Sequence, residues 1–394
     1  MKVILMNKNT EVLVTEYDTA LKGFSKIYEV KNVDYGPLIL KKYYEEDDSH
    51  FREKLSDWFK GRGIPDWRDK LDLLLHRLNI DTPQELLDKA FALSLSDQYW
   101  IKPYNSHIKY DDINFFDHDF DASEFVEATF SNTNCTIKNE EALRTPNNTT
   151  DGMLRKSWII EDGTRYLLKG GYKNELLQPF NEVLASMICN RLGFNHVEYK
   201  LDIIKDKPVS KCACFITKDT EFVTAYQILH DNIKEEDKDN AYEIYIKLLE
   251  DKKIENARVK LENMYILDFL IMNEDRHLNN FGIIRDVNTL KWLDVAPIFD
   301  NGQSLNLPYY NEDEVIISGE GRLFYNVEKF DNIIQVVKDF KRIDISKLDG
   351  LVEEFDGLLH KYQSITNMSD KRIHILCVLL QRQIIKLKRI IEEE

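Results

Sequence analysis

Apolar positions change period along the chain, and the change divides it. The opening MKVILMNKNTEVLV is apolar over a few residues and reads as a first β-strand. Thr82-Pro83-Gln84-Glu85 has the form of a capping box with proline at the first helical position, and predicts a helix through Leu86, Phe91 and Leu93. From Asn105 to Asp121 the chain is rich in Asn, Asp and aromatics without period, as an irregular connection would be. Then SWIIEDGTRYLLKGG sets two apolar runs around Asp162-Gly163, which predicts a hairpin. A helix is expected from Pro179 to Leu192, stopped by Gly193. Strands near Glu198–Ile204, Cys212–Thr217 and Glu221–Ala225 would complete a β-rich unit carrying this one helix.

Beyond Tyr226 the helical period takes over. Tyr242–Leu249, Val259–Met272, Ile345–Gln363 and Ser369–Ile391 fit buried or amphipathic helices. FGIIRDVNTLKWLDV interrupts them as a second hairpin. The pattern predicts an α+β protein, with an amino-terminal α/β subdomain over residues 1–130, a β-rich lobe over 131–225 and a helical lobe over 226–394.

Composition narrows the class. At 394 residues the chain exceeds one ordinary core. No apolar run reaches the roughly 18–20 residues that span a bilayer, and no signal peptide is evident, so a cytoplasmic protein is expected. Five scattered cysteines argue against a disulfide framework, and Cys212 and Cys214 are expected to share a strand face as buried thiols. A net charge of −16 disfavours broad contact with nucleic acid or an anionic membrane.

The candidate chemistry lies in NEDRHLNNFG, residues 273–282, which follows the apolar run MYILDFLIM. Asp275 and Asn280 are five residues apart, and Asp300 follows twenty residues after Asn280 in PIFDNG. Phosphoryl transfer uses this set: one carboxylate accepts the proton of the attacking hydroxyl, while a carboxamide and a second carboxylate hold Mg²⁺ on the phosphates of ATP. The same Asp-to-Asn step occurs in the protein-kinase catalytic loop. Lys169 ends a strand, where its ammonium can reach nucleotide phosphates, and Glu182 on the following helix can pair with it. The loop from Asn147 to Lys156, with Gly152 its single glycine, lies where a phosphate-covering loop is expected.

Asp275-Arg276-His277-Leu278-Asn279-Asn280 matches D-x-H-x-x-N, and Pro297 to Asp300 matches P-x-x-D. With PFNEVLASMICNRLG (179–193) and SLSDQYWIKP (94–103), these segments resemble the HipA family of bacterial serine/threonine kinases, the toxins of toxin–antitoxin pairs. The resemblance implies a bilobal protein-kinase-like fold with an additional amino-terminal subdomain. It implies Asp275 as catalytic base, Asn280 and Asp300 as Mg²⁺ ligands, Lys169 as the nucleotide lysine and His277 as a support of the loop. Adenine would be held near Phe215–Lys218, including Thr217. Thr149 and Thr150 stand where some members of the family carry an autophosphorylated serine. Gly302–Tyr325 would face the substrate. The implied partners are a protein substrate, such as an aminoacyl-tRNA synthetase or another translation factor, and a small DNA-binding antitoxin. A phosphatidylinositol kinase, which shares the D-R-H-x-x-N string, and a catalytically silent pseudokinase are the alternative readings.

Overall fold

The structure, a computed structural model, describes residues 1–131, 143–172, 176–306 and 319–394. The first strands are β1 (Lys2–Asn7), β2 (Thr10–Asp18) and β3 (Gly23–Val30), followed by helices α1 (Asp48–Lys60), α2 (Leu71–Leu78) and α3 (Pro83–Lys89) and strand β4 (Tyr99–Pro103). They form an antiparallel sheet of order β3-β2-β1-β4. Strand β1 is apolar on both faces because both are covered. Val3 and Leu5 pack with Phe51, Leu55 and Phe59 of α1, while Ile4 and Met6 pack with Trp100 and Tyr110.

The helix begun at Pro83 is shorter than predicted. Phe91 and Ala92 both adopt left-handed backbone (φ 53° and 58°), so the chain turns back after Lys89 and leaves Leu93 outside the helix. Thr82 makes no side-chain cap hydrogen bond. Helix α4 (Ser123–Phe130) leads onward: Phe125 packs beside Leu71 and Leu74, whereas Phe130 packs against Leu168 and Val209.

The predicted hairpin is present as β5 (Lys156–Glu161) and β6 (Thr164–Gly170). Asp162 and Gly163 have φ of 50° and 75°, the left-handed pair that a two-residue turn needs. After α5 (Gln178–Leu192) come β7 (Tyr199–Ile204), β8 (Lys207–Ala213) and β9 (Thr220–Thr224). The second sheet has the order β5-β6-β8-β7. Gly193 ends α5 with φ 74°, as expected.

Two expectations about this region are corrected. Strand β9 does not join the sheet of β5 to β8; it pairs with β10 (Gly282–Asp286), which pairs with β11 (Trp292–Val295), in a separate three-stranded sheet. Strand β8 ends at Ala213, so Cys212 and Cys214 do not share a strand face. Cys212 packs with Val197 and Tyr199, while Cys214 packs against the cluster containing Trp100.

The helices α6 (Ala225–Asn232), α7 (Ala241–Asp251) and α8 (Ala257–Ile271) precede β10. After the small hairpin of β12 (Glu320–Leu323) and β13 (Asn326–Lys329) come α9 (Phe330–Ile333), α10 (Leu351–Lys361), α11 (Gln363–Thr366) and α12 (Asp370–Glu393). The long helix predicted over Ile345–Gln363 is broken at Gly350, whose φ of 77° suits a glycine and ends the preceding turn. One core joins Phe180, Leu184 and Ile188 of α5 to Tyr265 and Phe269 of α8 and Leu376 and Leu380 of α12. Helix α5, although it lies between strands β6 and β7 of the second sheet in sequence, is thus packed into the helical core. Among the described residues no helix is long and apolar enough to cross a membrane.

Candidate active site

Strand β6 ends by carrying Lys169 into the interior, beside the first turns of α5. Its ammonium donates to Glu182 Oε1 at 2.9 Å, to the Tyr199 hydroxyl at 3.0 Å and to Asp300 Oδ1 at 2.8 Å. Three donors meet three acceptors. Burial alone would lower the lysine pKa, but Asp300 and Glu182 raise it well above its usual value. Burial pushes the Glu182 carboxyl up, opposed by the Lys169 ammonium. The other oxygen of Glu182 accepts from the Asn301 amide at 2.8 Å, so Glu182 grips the chain just after Asp300. Lys169 and Glu182 side chains are 4% and 2% exposed, whereas Asp300 is 27% exposed; the aspartate is the member open to solvent.

Asp300 itself has left-handed backbone (φ 57°). Burial would raise its carboxyl, but Lys169, Lys156 and Arg276 hold it well below the usual carboxylate range. Phe299, one residue earlier, packs against Phe215 and Phe222 with ring centroids at 5.5 and 5.2 Å.

The loop 273–281 is organised around a residue to which the sequence analysis assigned no role. Helix α8 ends as Met272 turns left-handed (φ 51°), and Arg276 folds back beneath the loop, fully buried. Its guanidinium donates twice to Asp268 at 2.9 Å. It also reaches the Asn280 and Phe299 carbonyls at 3.0 and 2.6 Å and Asn301 Oδ1 at 2.6 Å. A planar fork with five donors suits such convergent acceptors. Arg276 therefore ties the loop of Asp275 and Asn280 to the loop of Asp300. A single aspartate, Asp268, in the otherwise apolar run MYILDFLIM was the available signal for it.

Asn273 donates to Asp268 Oδ1 at 2.9 Å and accepts from the Asp275 amide at 3.1 Å. Asn280 Nδ2 donates to the Asp275 carbonyl at 2.8 Å. That bond orients its side chain. His277 accepts at Nδ1 from the Asn279 amide at 3.2 Å, and its Nε2 stands 3.9 Å from Asp275 Oδ2. The imidazole thus shapes the loop and lies beside the aspartate. Burial and the Asp300 charge push the Asp275 carboxyl up, while His277 opposes the rise. Gly282 starts β10 where a Cβ would meet the Val223 carbonyl at 2.1 Å, so only glycine allows the loop to close onto β9.

The phosphate-loop candidates are placed differently from one another. Thr149 Oγ1 donates to the Leu93 and Pro146 carbonyls, at 3.0 and 3.1 Å. Thr150 is buried; its hydroxyl donates to the Asn147 carbonyl at 2.9 Å and accepts from Arg68 at 3.0 Å. Neither threonine bonds to the Lys169 cluster. Gly152 (φ 91°) lies against Lys156, whose ammonium would stand 2.6 Å from a Cβ there and donates to the Asp151 carbonyl at 2.7 Å. Lys156 faces Lys169 across the β5–β6 pair, and its charge acts on Asp300. Burial lowers its pKa, and Asp300 opposes this. Sequence reading passed over this second lysine. Phe215 lies on Phe299, while Thr217 is exposed, with its hydroxyl paired to Thr220 at 3.0 Å. Of the expected substrate-facing segment Gly302–Tyr325, residues 307–318 lie outside the described residues.

The donor set fits a hard cation completed by phosphate oxygens. Asn280 offers Oδ1 once its Nδ2 is engaged, and Asp300 offers Oδ2 beside the Lys169-bound Oδ1. Among the described residues no group of three or more His, Cys, Asp or Glu side chains forms a self-sufficient metal cage.

A buried lysine shared by a helix glutamate and a loop aspartate, in an α+β chain, is the arrangement of a kinase-like protein. No family model matches the chain. It is 26% identical over 238 residues to the serine/threonine-protein kinase CtkA of Helicobacter pylori strain J99, covering 52% of this chain and 73% of that protein. The crystal structure of the H. pylori proinflammatory kinase CtkA aligns with 61% of this chain and 92% of its own, at 22% identity and TM-score 0.43. HipA, in the Shewanella oneidensis MR-1 complex of HipA, HipB and operator DNA, aligns with 98% of this chain and 97% of its own, at 12% identity and TM-score 0.53. The expected likeness to HipA-like serine/threonine kinases is supported, in sequence by a named serine/threonine kinase and in fold by HipA along nearly the whole chain. Protein kinase is the enzyme class that the sequence likeness to CtkA supports.

Proposed function

We propose that the protein is a HipA-like serine/threonine kinase that transfers the γ-phosphate of Mg·ATP to a hydroxyl of a cytosolic protein. The observation that carries this reading is Lys169 held between Glu182 and Asp300, with Arg276 joining the Asp300 loop to the loop of Asp275 and Asn280. In this reading residues 131–225 form the nucleotide-covering lobe, residues 226–394 the catalytic lobe and residues 1–130 an additional subdomain. Lys169 and Lys156 bind nucleotide phosphates, Gly152 leaves room for the loop above them, and Phe215 and Thr217 border the adenine. Asn280 and Asp300 hold Mg²⁺, which when bound neutralises charge on the phosphates. Asp275 orients the substrate hydroxyl and takes its proton as the oxygen–phosphorus bond forms and ADP departs. His277 keeps the loop in shape beneath it. The HipA match, taken from a complex with HipB and operator DNA, supports a small DNA-binding partner for this chain as well.

The test is γ-phosphate transfer to proteins of a cell lysate together with calorimetric titration of Mg·ATP. Wild type is expected to bind and transfer. Asp275→Asn should retain binding and lose transfer; Asp300→Ala should lose both. Undiminished transfer by Asp275→Asn overturns the assignment of the base, and absence of nucleotide binding by wild type overturns the kinase reading.

A further inference from the structure

A cavity of about 100 Å³ lies behind the loop that carries Lys156 and shares no lining residue with the Lys169 cluster. Among the described residues Arg68, Lys70, Arg77 and Arg155 line it, with Asp69 as the single acidic residue of its wall. In a chain of net charge −16, four cations against one carboxylate is a marked local inversion. Three of the four are buried: Arg68, Arg77 and Arg155 are 4%, 5% and 8% exposed. Among the described residues Asp151 acts on Arg68 and Asp69 on Arg155, which leaves the cations in excess, and buried positive charge without full compensation is costly.

Its hydrogen bonds are incomplete too. Arg77 uses one terminal nitrogen on the carbonyls of Ala128 and Ser131, at 2.8 and 2.9 Å, but its Nε has no partner among the described residues. Among the described residues Arg155 Nε, 3.4 Å from Asp69 Oδ2, makes no hydrogen bond, and the buried Thr129 hydroxyl has none. The repulsion among the cations also reaches Lys207, whose pKa is lowered by burial and then by Arg155, Lys70 and Arg77.

We propose that this cavity is a binding site for a phosphoryl oxyanion, separate from the candidate active site. Guanidinium forks match the oxygens of a phosphate, and a phosphate group brings nearly two negative charges where a carboxylate brings one. The volume suits one tetrahedral anion, since a single water needs only about 10–15 Å³ of such space. The position gives the site a consequence. Arg68 grips the Gly152 carbonyl and the Thr150 hydroxyl and carbonyl, and the Asp69 amide holds the Met153 carbonyl at 2.9 Å. Arg155 faces the cavity, while its neighbour Lys156 turns to Asp151 and acts on Asp300. An anion here would brace the rear of the same loop.

Inorganic phosphate titrated calorimetrically without nucleotide, combined with anomalous diffraction from tungstate-soaked crystals, tests the site whether or not the protein is a kinase. Tungstate is expected in the cavity beside Arg77 and Arg155. Arg155→Gln should weaken phosphate binding about tenfold or more, and Lys70→Ala, whose exposed side chain leaves the fold intact, about threefold. Phosphoserine titrated in parallel separates a phosphate-ester ligand from free phosphate, and binding of either supports the site. Equal affinity in wild type and both variants, tungstate confined to the surroundings of Lys169, or no binding of either ligand at about 10 mM overturns it.

Discussion

Arg276 and Lys169 are both buried cations held by carboxylates, and they are satisfied in different ways. Arg276 is fixed by a rigid fork: both Asp268 oxygens, two carbonyls and a carboxamide leave it nothing to exchange. Lys169 is a point charge shared between a sealed glutamate and an aspartate that reaches solvent. The first arrangement suits a brace, the second a site whose partners change when a phosphate arrives. The difference follows from side-chain chemistry, since a guanidinium locks geometry and an ammonium does not.

This contrast can be broken by substitution, beginning with the largest expected effect. Asp275→Asn should lower phosphoryl transfer about 10²–10⁴-fold while leaving stability within about 0.5 kcal/mol, read by initial rates and urea denaturation. Arg276→Met should cost about 3–5 kcal/mol, because Asp268 is left buried and unpaired. Arg276→Lys should recover little of that loss, and full recovery in denaturation midpoints would show the fork to be dispensable.

Lys169→Met should abolish nucleotide binding yet cost only about 1–3 kcal/mol, because Asp300 has a path to solvent and Glu182 can take up a proton. Its deficit should depend on pH. Burial already raises the Glu182 carboxyl, and removing Lys169 removes the largest opposing influence. A carboxyl with a raised folded pKa stabilises below its unfolded value, and that contribution is lost as pH rises through the folded one. The gap to wild type should therefore be smaller near about pH 5 than near about pH 8. A gap that shrinks toward alkaline pH contradicts the placement of Glu182. The smallest effect is expected for His277→Ala, less than about tenfold in rate and about 0.5 kcal/mol in stability, as its ring shapes the loop from a half-exposed position. A loss as large as that of Asp275→Asn would instead make the imidazole a participant.

Lys169, Glu182, Asp275, Asn280 and Asp300 were legible as candidates because the acidic residues and carboxamide recur at short spacings and the lysine ends a strand. The hairpin at Asp162-Gly163 and helix α5 were legible from turn chemistry and period. Strand β9 was legible as a strand, but its sheet was not, since its partner β10 lies 58 residues or more further along. The break at Gly350 escaped because a helix continued through a glycine and one entered after it have the same apolar period.

By itself the sequence determined which segments alternate, which turn, and which carry carboxylates and carboxamides, because these depend on neighbours in the chain. Tertiary structure alone decided that Arg276 joins two loops and that four cations gather behind the loop leading to Lys156. Each of these brings together groups far apart in sequence, and desolvated charge acquires its partner only when the chain has folded around it.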